Sequence, residues 1–251
     1  MPGIDAVVRD AKGKLYYALL DDTIYGTMAQ RTVIEKDRSV ALPKDADPIA
    51  VAATMNPAMS SWVALRHRIS FKRGSSVLIL GATGNAGRAA IQVAKRFGAK
   101  HVIAAGRNVE RLSELAALGA DRVLTLDQLC TAGDVDVVID YLWGQPSAKG
   151  IVDVLTHRRD RGKDLVWIEV GSMAGSSTEI ASAALRSTRL QIVGSGVGSV
   201  PGHDFRKEVP KIAQAITAGA FDIRTRTIPL SDVTTAWTET LGADQRIVFL
   251  P

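Results

Sequence analysis

The chain has 251 residues, 46% hydrophobic, 5% aromatic and 23% charged, a balance that excludes disordered and fibrous classes and supplies enough apolar surface for a large core. Its formal net charge of +5 comes from Lys and Arg interleaved with Asp and Glu along most of the chain, so no nucleic-acid partner is predicted. The single Cys130 precludes an intramolecular disulfide, and neither a run of about 18 apolar residues nor a signal-peptide pattern occurs, so a cytoplasmic protein with no membrane partner is predicted.

Residues 1–45 contain short, weakly alternating runs at 15–20 and 31–35, and Pro43 to Pro48 form a polar linker, which together predict antiparallel β-structure too small to stand alone. Residues 49–68 read as a helix. From residue 75 the pattern changes, with strands predicted at 77–80, 102–105, 123–126, 135–140, 165–170 and 190–193. Helical patterns lie around 86–97, 109–118, 147–156, 179–186 and 205–218, and this alternation predicts a parallel sheet covered on both faces. The basic run at 157–164 falls between a helix and a strand and reads as a solvated connection. Beyond Phe221, a strand-like 224–228, a short helix near 233–240 and a final strand at 246–250 leave the α/β pattern, so the two flanks are expected to pair as one small second domain.

Ser76-Val77-Leu78-Ile79-Leu80 runs straight into Gly81-Ala82-Thr83-Gly84-Asn85-Ala86-Gly87, and a helical pattern begins at once. A dinucleotide fold needs glycine at such a bend for a tight turn, for close approach of backbone N–H groups to a diphosphate and for tight helix–sheet packing. The phosphates then lie on the positive end of the helix. Ala82 stands where the G-x-G-x-x-G form has its first glycine, leaving Gly81-x-x-Gly84-x-x-Gly87. The strand before, the helix after and the β/α units that follow make Gly81, Ala82, Thr83, Gly84, Asn85, Ala86 and Gly87 candidate cofactor contacts, against the plainer reading of a glycine turn without a ligand.

An NAD site places an Asp or Glu about 20 residues after the fingerprint, whereas a 2′-phosphate calls for Arg. Here the second strand runs into Gly106-Arg107-Asn108, with no carboxylate before Glu110. Arg107 offers planar, charge-assisted hydrogen bonds, Asn108 an amide donor and Arg111 further charge, so NADPH is predicted over NADH. The alternative for Arg107 is a solvated loop charge.

With these motifs placed, the chain resembles the medium-chain dehydrogenase/reductase superfamily, specifically its zinc-free quinone oxidoreductase-like branch. The resemblance rests on Pro2-Gly3-Ile4-Asp5, Tyr25-Gly26-Thr27-Met28-Ala29, Ser60-Ser61-Trp62-Val63-Ala64-Leu65, and Gly74 to Leu80 with the glycine loop. Leu118-Gly119-Ala120-Asp121, Val138-Ile139-Asp140 and Ile228-Pro229-Leu230-Ser231-Asp232-Val233 with Trp237 extend it along the chain. It implies an α/β fold, a Rossmann doubly wound parallel sheet over 46–221, with a partial GroES-like β domain formed by the chain ends, 1–45 and 222–251. Family members carry several tens of residues before the segment matching Pro2 to Asp5, so the resemblance implies a chain that begins inside that domain. Gly3-Ile4-Asp5 lies where zinc-dependent relatives have Gly-His-Glu, Asn56 near a ligand cysteine, and the four-cysteine lobe is absent; His67, His101, His157, His203 and Cys130 are scattered. No metal is predicted.

The reaction implied by the resemblance is hydride delivery from NADPH to a quinone, an enone or a related carbonyl compound, with the product oxygen stabilised by a donor and protonated by a side chain or water. Ser60 matches a hydroxyl residue that relatives place by the nicotinamide, with a helix N-cap as the alternative. Gly171, Ser172, Gly194 and Ser195 follow the fifth and sixth strands, where open α/β sheets bind ligands. Tyr141, after the fourth strand, is a candidate for both cofactor contact and catalysis, and Tyr25 a second phenol donor; packing is the alternative for each. A short-chain dehydrogenase is rejected, because Leu20, Asp21, Ala29 and Gln145, not lysine, stand four residues after Tyr16, Tyr17, Tyr25 and Tyr141. A non-catalytic NADPH-binding or regulatory protein is the rival class. A homodimer through the last sheet strand is implied by resemblance alone.

Overall fold

A computed structural model describes residues 2–20, 25–239 and 245–251. β1 (Asp5–Arg9) and β2 (Leu15–Leu19) form an antiparallel hairpin whose turn is closed by Asp10 Oδ1, accepting from Lys12 N at 2.9 Å and Lys14 N at 2.8 Å. β3 (Ser39–Ala41) pairs antiparallel with the other edge of β2. The predicted strand at 31–35 is not formed. β2 has its two edges filled by β1 and β3, and the β-branched run Thr32-Val33-Ile34 has no ladder to join, which alternation alone cannot reveal. α1 (Pro48–Val63) starts with Pro48 in its first turn and Asp47 Oδ1 accepting from Ile49 N and Ala50 N, and it loosens into a π-helical turn over Ala64–Arg68.

Then follow β4 (Ser76–Leu80), α2 (Asn85–Arg96), β5 (His101–Gly106), α3 (Val109–Ser113), β6 (Arg122–Thr125), β7 (Val137–Asp140), α4 (Gly144–His157), β8 (Leu165–Glu169), α5 (Ser182–Arg186), β9 (Leu190–Gly194) and α6 (Gly202–Thr217). The chain closes with β10 (Arg224–Pro229), α7 (Val233–Thr238) and β11 (Gln245–Leu250). The predicted helix near 233–240 ends at its last position outside the described residues. The helix predicted from 179 begins only at Ser182, because Thr178 Oγ1 donates to Gly144 O at 2.7 Å and ties the preceding segment to the start of α4.

The central sheet has the order β6-β5-β4-β7-β8-β9, every pair parallel, as in a dinucleotide-binding doubly wound fold. Helices cover both faces, so the strands need apolar side chains in both directions, and Val77, Leu78, Ile79 and Leu80 are all fully buried. Leu78, Leu80, Val138, Ile151 and Trp167 pack together on one face, and each such burial contributes about 1.5–3 kcal/mol.

The chain divides into two compact units, Ser60–Pro201 and Met1–Met59 with Gly202–Pro251. The first holds the parallel sheet. The second holds the antiparallel sheet β1-β2-β3 and, separately, β10 and β11 paired parallel to one another. Within it, Arg206 Nη1 donates to Asp37 O at 2.8 Å, which ties α6 to the approach to β3. Among the described residues no helix is long and apolar enough to cross a membrane.

Candidate functional site

Strand order reverses at β4, whose neighbours are β5 on one side and β7 on the other, the point at whose carboxyl ends open α/β sheets hold ligands in a crevice. The glycine loop fills this point. Gly81 turns with φ +79, and Gly81 N and Ala82 N both donate to Ala105 O at 3.0 Å, which anchors the bend to β5. Arg88 N donates to Gly84 O at 2.8 Å and starts α2.

Each glycine answers a different need. A Cβ on Gly87 would lie 2.4 Å from Gly81 O and 2.5 Å from Ala82 Cα, so close packing of α2 against the bend demands glycine there. Ala82 is fully buried, so its methyl points into the protein and does not obstruct the loop surface. Gly84 has φ −81, open to any residue, and an added Cβ would only touch Gly81 O at 3.6 Å. Among the described residues no contact requires glycine at 84, whereas close approach of a diphosphate to the backbone does, so the loop fits a dinucleotide. Thr83, Asn85 and Ala86 are half-buried around this opening.

At the end of β5, Gly106 leaves room for Thr83, whose Cγ2 would lie 3.1 Å from an added Cβ. Asn108 Oδ1 accepts from Arg111 N at 2.9 Å and caps α3, which leaves the Asn108 side-chain NH2 as a donor. Arg107 is exposed and forms no ion pair among the described residues; Arg111 is half-buried one turn on.

Tyr141 and Ser60, 81 positions apart, are brought together: their hydroxyls lie 2.9 Å from one another. Tyr141 packs under the glycine bend, its Cβ 3.3 Å from where a Gly81 Cβ would be. Burial pushes its phenol up to about 12, although Ser60 and Ser61 hydrogen bonds pull it down, so it stays protonated at neutral pH. Tyr25 belongs to the other unit and is largely exposed.

Asp140 organises this end of the sheet. Its Oδ1 accepts from Leu142 N at 2.8 Å and Trp143 N at 3.1 Å, and its Oδ2 from Trp167 Nε1 at 2.8 Å. The turn it holds includes Trp143 at φ +53, a strained conformation for a bulky residue. Gly171 N donates to Asp140 O and Met173 N to Tyr141 O, both at 3.2 Å, so the loop after β8 that carries Gly171 and Ser172 is fastened to the one after β7. Ser195 N donates to Glu169 O at 2.8 Å, and Arg68 secures the loop after β9 through Gly194 O at 2.7 Å and Ser199 O at 2.9 Å. Glu169, in register with Asp140 and Gly194, has its carboxyl raised by burial and then by the Asp140 charge.

Sequence reasoning missed Asp140, Glu169 and Arg68 as site organisers. A carboxylate closing the apolar strand Val137-Val138-Ile139 was a usable signal for Asp140; nothing local marks Arg68, whose partners are more than 120 positions away.

His203 Nε2 lies 3.2 Å from Asp204, and His157 Nδ1 2.9 Å from Asp153 O. Asp5, at the position of the relatives' zinc motif, accepts from the Tyr17 hydroxyl at 2.8 Å. Among the described residues no group of three or more His, Cys, Asp or Glu side chains could hold a metal ion.

A family model described as zinc-binding dehydrogenase matches residues 86–214, just over half of the chain. A protein of Emericella nidulans named "Probable NADPH-dependent quinone reductase tdiC" is 29% identical over 226 residues, covering 82% of this chain and 62% of that protein. The chain spans less than two thirds of the length of the curated relatives it matches first. Among solved structures, a quinone oxidoreductase of Pseudomonas syringae pv. Tomato DC3000 superposes with a TM-score of 0.76 at 18% identity, covering 99% of this chain and 81% of that one. The yhdH oxidoreductase of Salmonella enterica in complex with NADP gives 0.71 at 18% identity, with 94% and 76% covered. The glycine bend at a topological switch point, the parallel strand order and the family match converge: the chain belongs to the zinc-binding dehydrogenase family.

Proposed function

We propose that the chain binds NADPH at the β4–α2 bend and reduces a quinone, an enone or a related carbonyl compound without zinc. The observation that carries this reading is Gly84, a glycine that the protein's own packing does not need, at the opening of the crevice. The relative from Emericella nidulans, named as NADPH-dependent, supports the choice of cofactor.

Residues 81–87 would hold the diphosphate through backbone N–H groups at the start of α2, and Arg107, with Asn108 and Arg111, the 2′-phosphate. Gly106 keeps the adenosine side open, and Gly171, Ser172, Gly194 and Ser195 line the far half of the crevice. Bound NADPH supplies the hydride. The Tyr141 phenol, protonated at neutral pH, and the Ser60 hydroxyl 2.9 Å from it would stabilise a developing oxyanion by hydrogen bonding, with water as the final proton source. Tyr25 is proposed as a second phenol donor. The reading takes 46–221 as the dinucleotide-binding domain, 1–45 with 222–251 as a partial substrate domain, and the protein as a cytoplasmic homodimer.

The test is fluorescence titration of the purified chain with NADPH and NADH, followed by NADPH oxidation with a panel of quinones and enones. Tighter binding of NADPH with turnover is expected. Equal affinity for NADH refutes the 2′-phosphate assignment. The high phenol of Tyr141 leaves no strong acid in the pair, which favours one rival, a non-catalytic NADPH-binding protein; tight binding without turnover would establish it.

A further inference from the structure

We propose that a groove on the α4 and α5 side of β8, remote in sequence from the glycine loop, binds an amphipathic monoanion, an aliphatic carboxylate. The groove encloses about 350 Å³, within the range of small-ligand sites. Its floor is apolar, formed chiefly by Val152, Leu155, Leu165 and Ala184, and Val152 is left 49% exposed to water. Its polar lining is cationic, with Arg158, Arg161, Lys163 and Arg189 among the lining residues and no Asp or Glu.

The charges do not cancel. Lys163 pairs with Asp136 at 2.7 Å and Arg189 with Asp164 at 2.5 Å, which leaves Arg158 and Arg161 without an ion pair among the described residues. Arg158 is only 6% exposed; its Nη atoms donate to the carbonyl oxygens of Val135, Lys163 and Asp164, while its Nε–H has no acceptor. A guanidinium held by carbonyl dipoles, while Asp164, which feels its charge, is hydrogen-bonded to Arg189, keeps a positive potential at the groove. Arg161 is exposed at the rim and supplies the direct contact. The basic run at 157–164 therefore has more to do than connect a helix to a strand. An anionic head on Arg161 with an alkyl chain over the apolar floor satisfies both features, whereas inorganic phosphate would satisfy only the first and an alcohol only the second.

The test is isothermal titration of the full chain, saturated with NADPH, against butanoate, hexanoate, octanoate and decanoate, with decanol and inorganic phosphate as controls. Each added CH2 is expected to tighten binding about three- to fourfold. Arg161→Ala is expected to weaken decanoate about tenfold, as is Ala183→Trp, which fills the groove from an exposed position and leaves the core untouched. A flat chain-length series, phosphate binding as tight as decanoate, or two folded variants that bind like the parent overturns the proposal. Displacement of decanoate by NADPH would place it in the cofactor crevice and equally refute the groove, while leaving the NADPH reading intact.

Discussion

Replacing Gly84 and Gly87 separately by alanine distinguishes the need of the fold from the need of the ligand. In Gly87→Ala the new methyl would sit 2.4 Å from Gly81 O and 2.5 Å from Ala82 Cα, both backbone atoms that cannot swing aside. Relief requires α2 to move off the β4 bend, a cost of about 3 kcal/mol by comparison with overpacked cores. In Gly84→Ala the methyl meets only Gly81 O at 3.6 Å, and φ −81 suits alanine, so the folded state loses only the helix-cap preference, about 0.5–1 kcal/mol. If a diphosphate rests on this backbone, the same methyl holds it off its N–H donors, and losing such charge-assisted bonds weakens NADPH about ten- to hundredfold. Urea denaturation and NADPH titration of both variants read the two effects. Near-parental NADPH affinity in Gly84→Ala would refute the diphosphate assignment. Near-parental stability in Gly87→Ala would refute the packing argument.

Arg107→Ala should raise the Kd for NADPH about ten- to hundredfold and leave NADH unchanged, as read by parallel titrations. Stability should fall from pH 10 towards about 12, because the unfolded chain releases the Tyr141 proton in that window and the folded chain retains it. The loss is about 1.4 kcal/mol per pH unit, Tyr17 is shifted in the same direction, and Tyr141→Phe should flatten urea-derived stability by one group's share. Asp140→Asn should cost about 2–4 kcal/mol, since a buried carboxylate accepting three hydrogen bonds becomes an amide that presents a donor to a donor. The same change should lower the Glu169 pKa, measurable by carboxyl NMR, because the Asp140 charge contributes to its upward shift.

Several features were legible in the chain itself because they depend on neighbours in sequence. The apolar runs that became β4, β5, β7 and β8 are buried on both faces and so read as near-continuous hydrophobic segments, and the glycine spacing after β4 marks a bend that must lie against a helix. The position of Arg107 directly after β5 followed from the same local logic. Other features exist only because distant segments meet. Whether 31–35 joins a sheet depended on which edges of β2 were taken, and where the helix predicted from 179 begins depended on a hydroxyl contact to the first turn of α4. Ser60 acquired Tyr141, Asp140 acquired Trp167, and Arg68 acquired the loop after β9 through contacts that no spacing encodes. Period and turn chemistry act over a few residues and set the elements; partners, burial and proton affinity arise from packing across the sheet, and only the folded chain decides them.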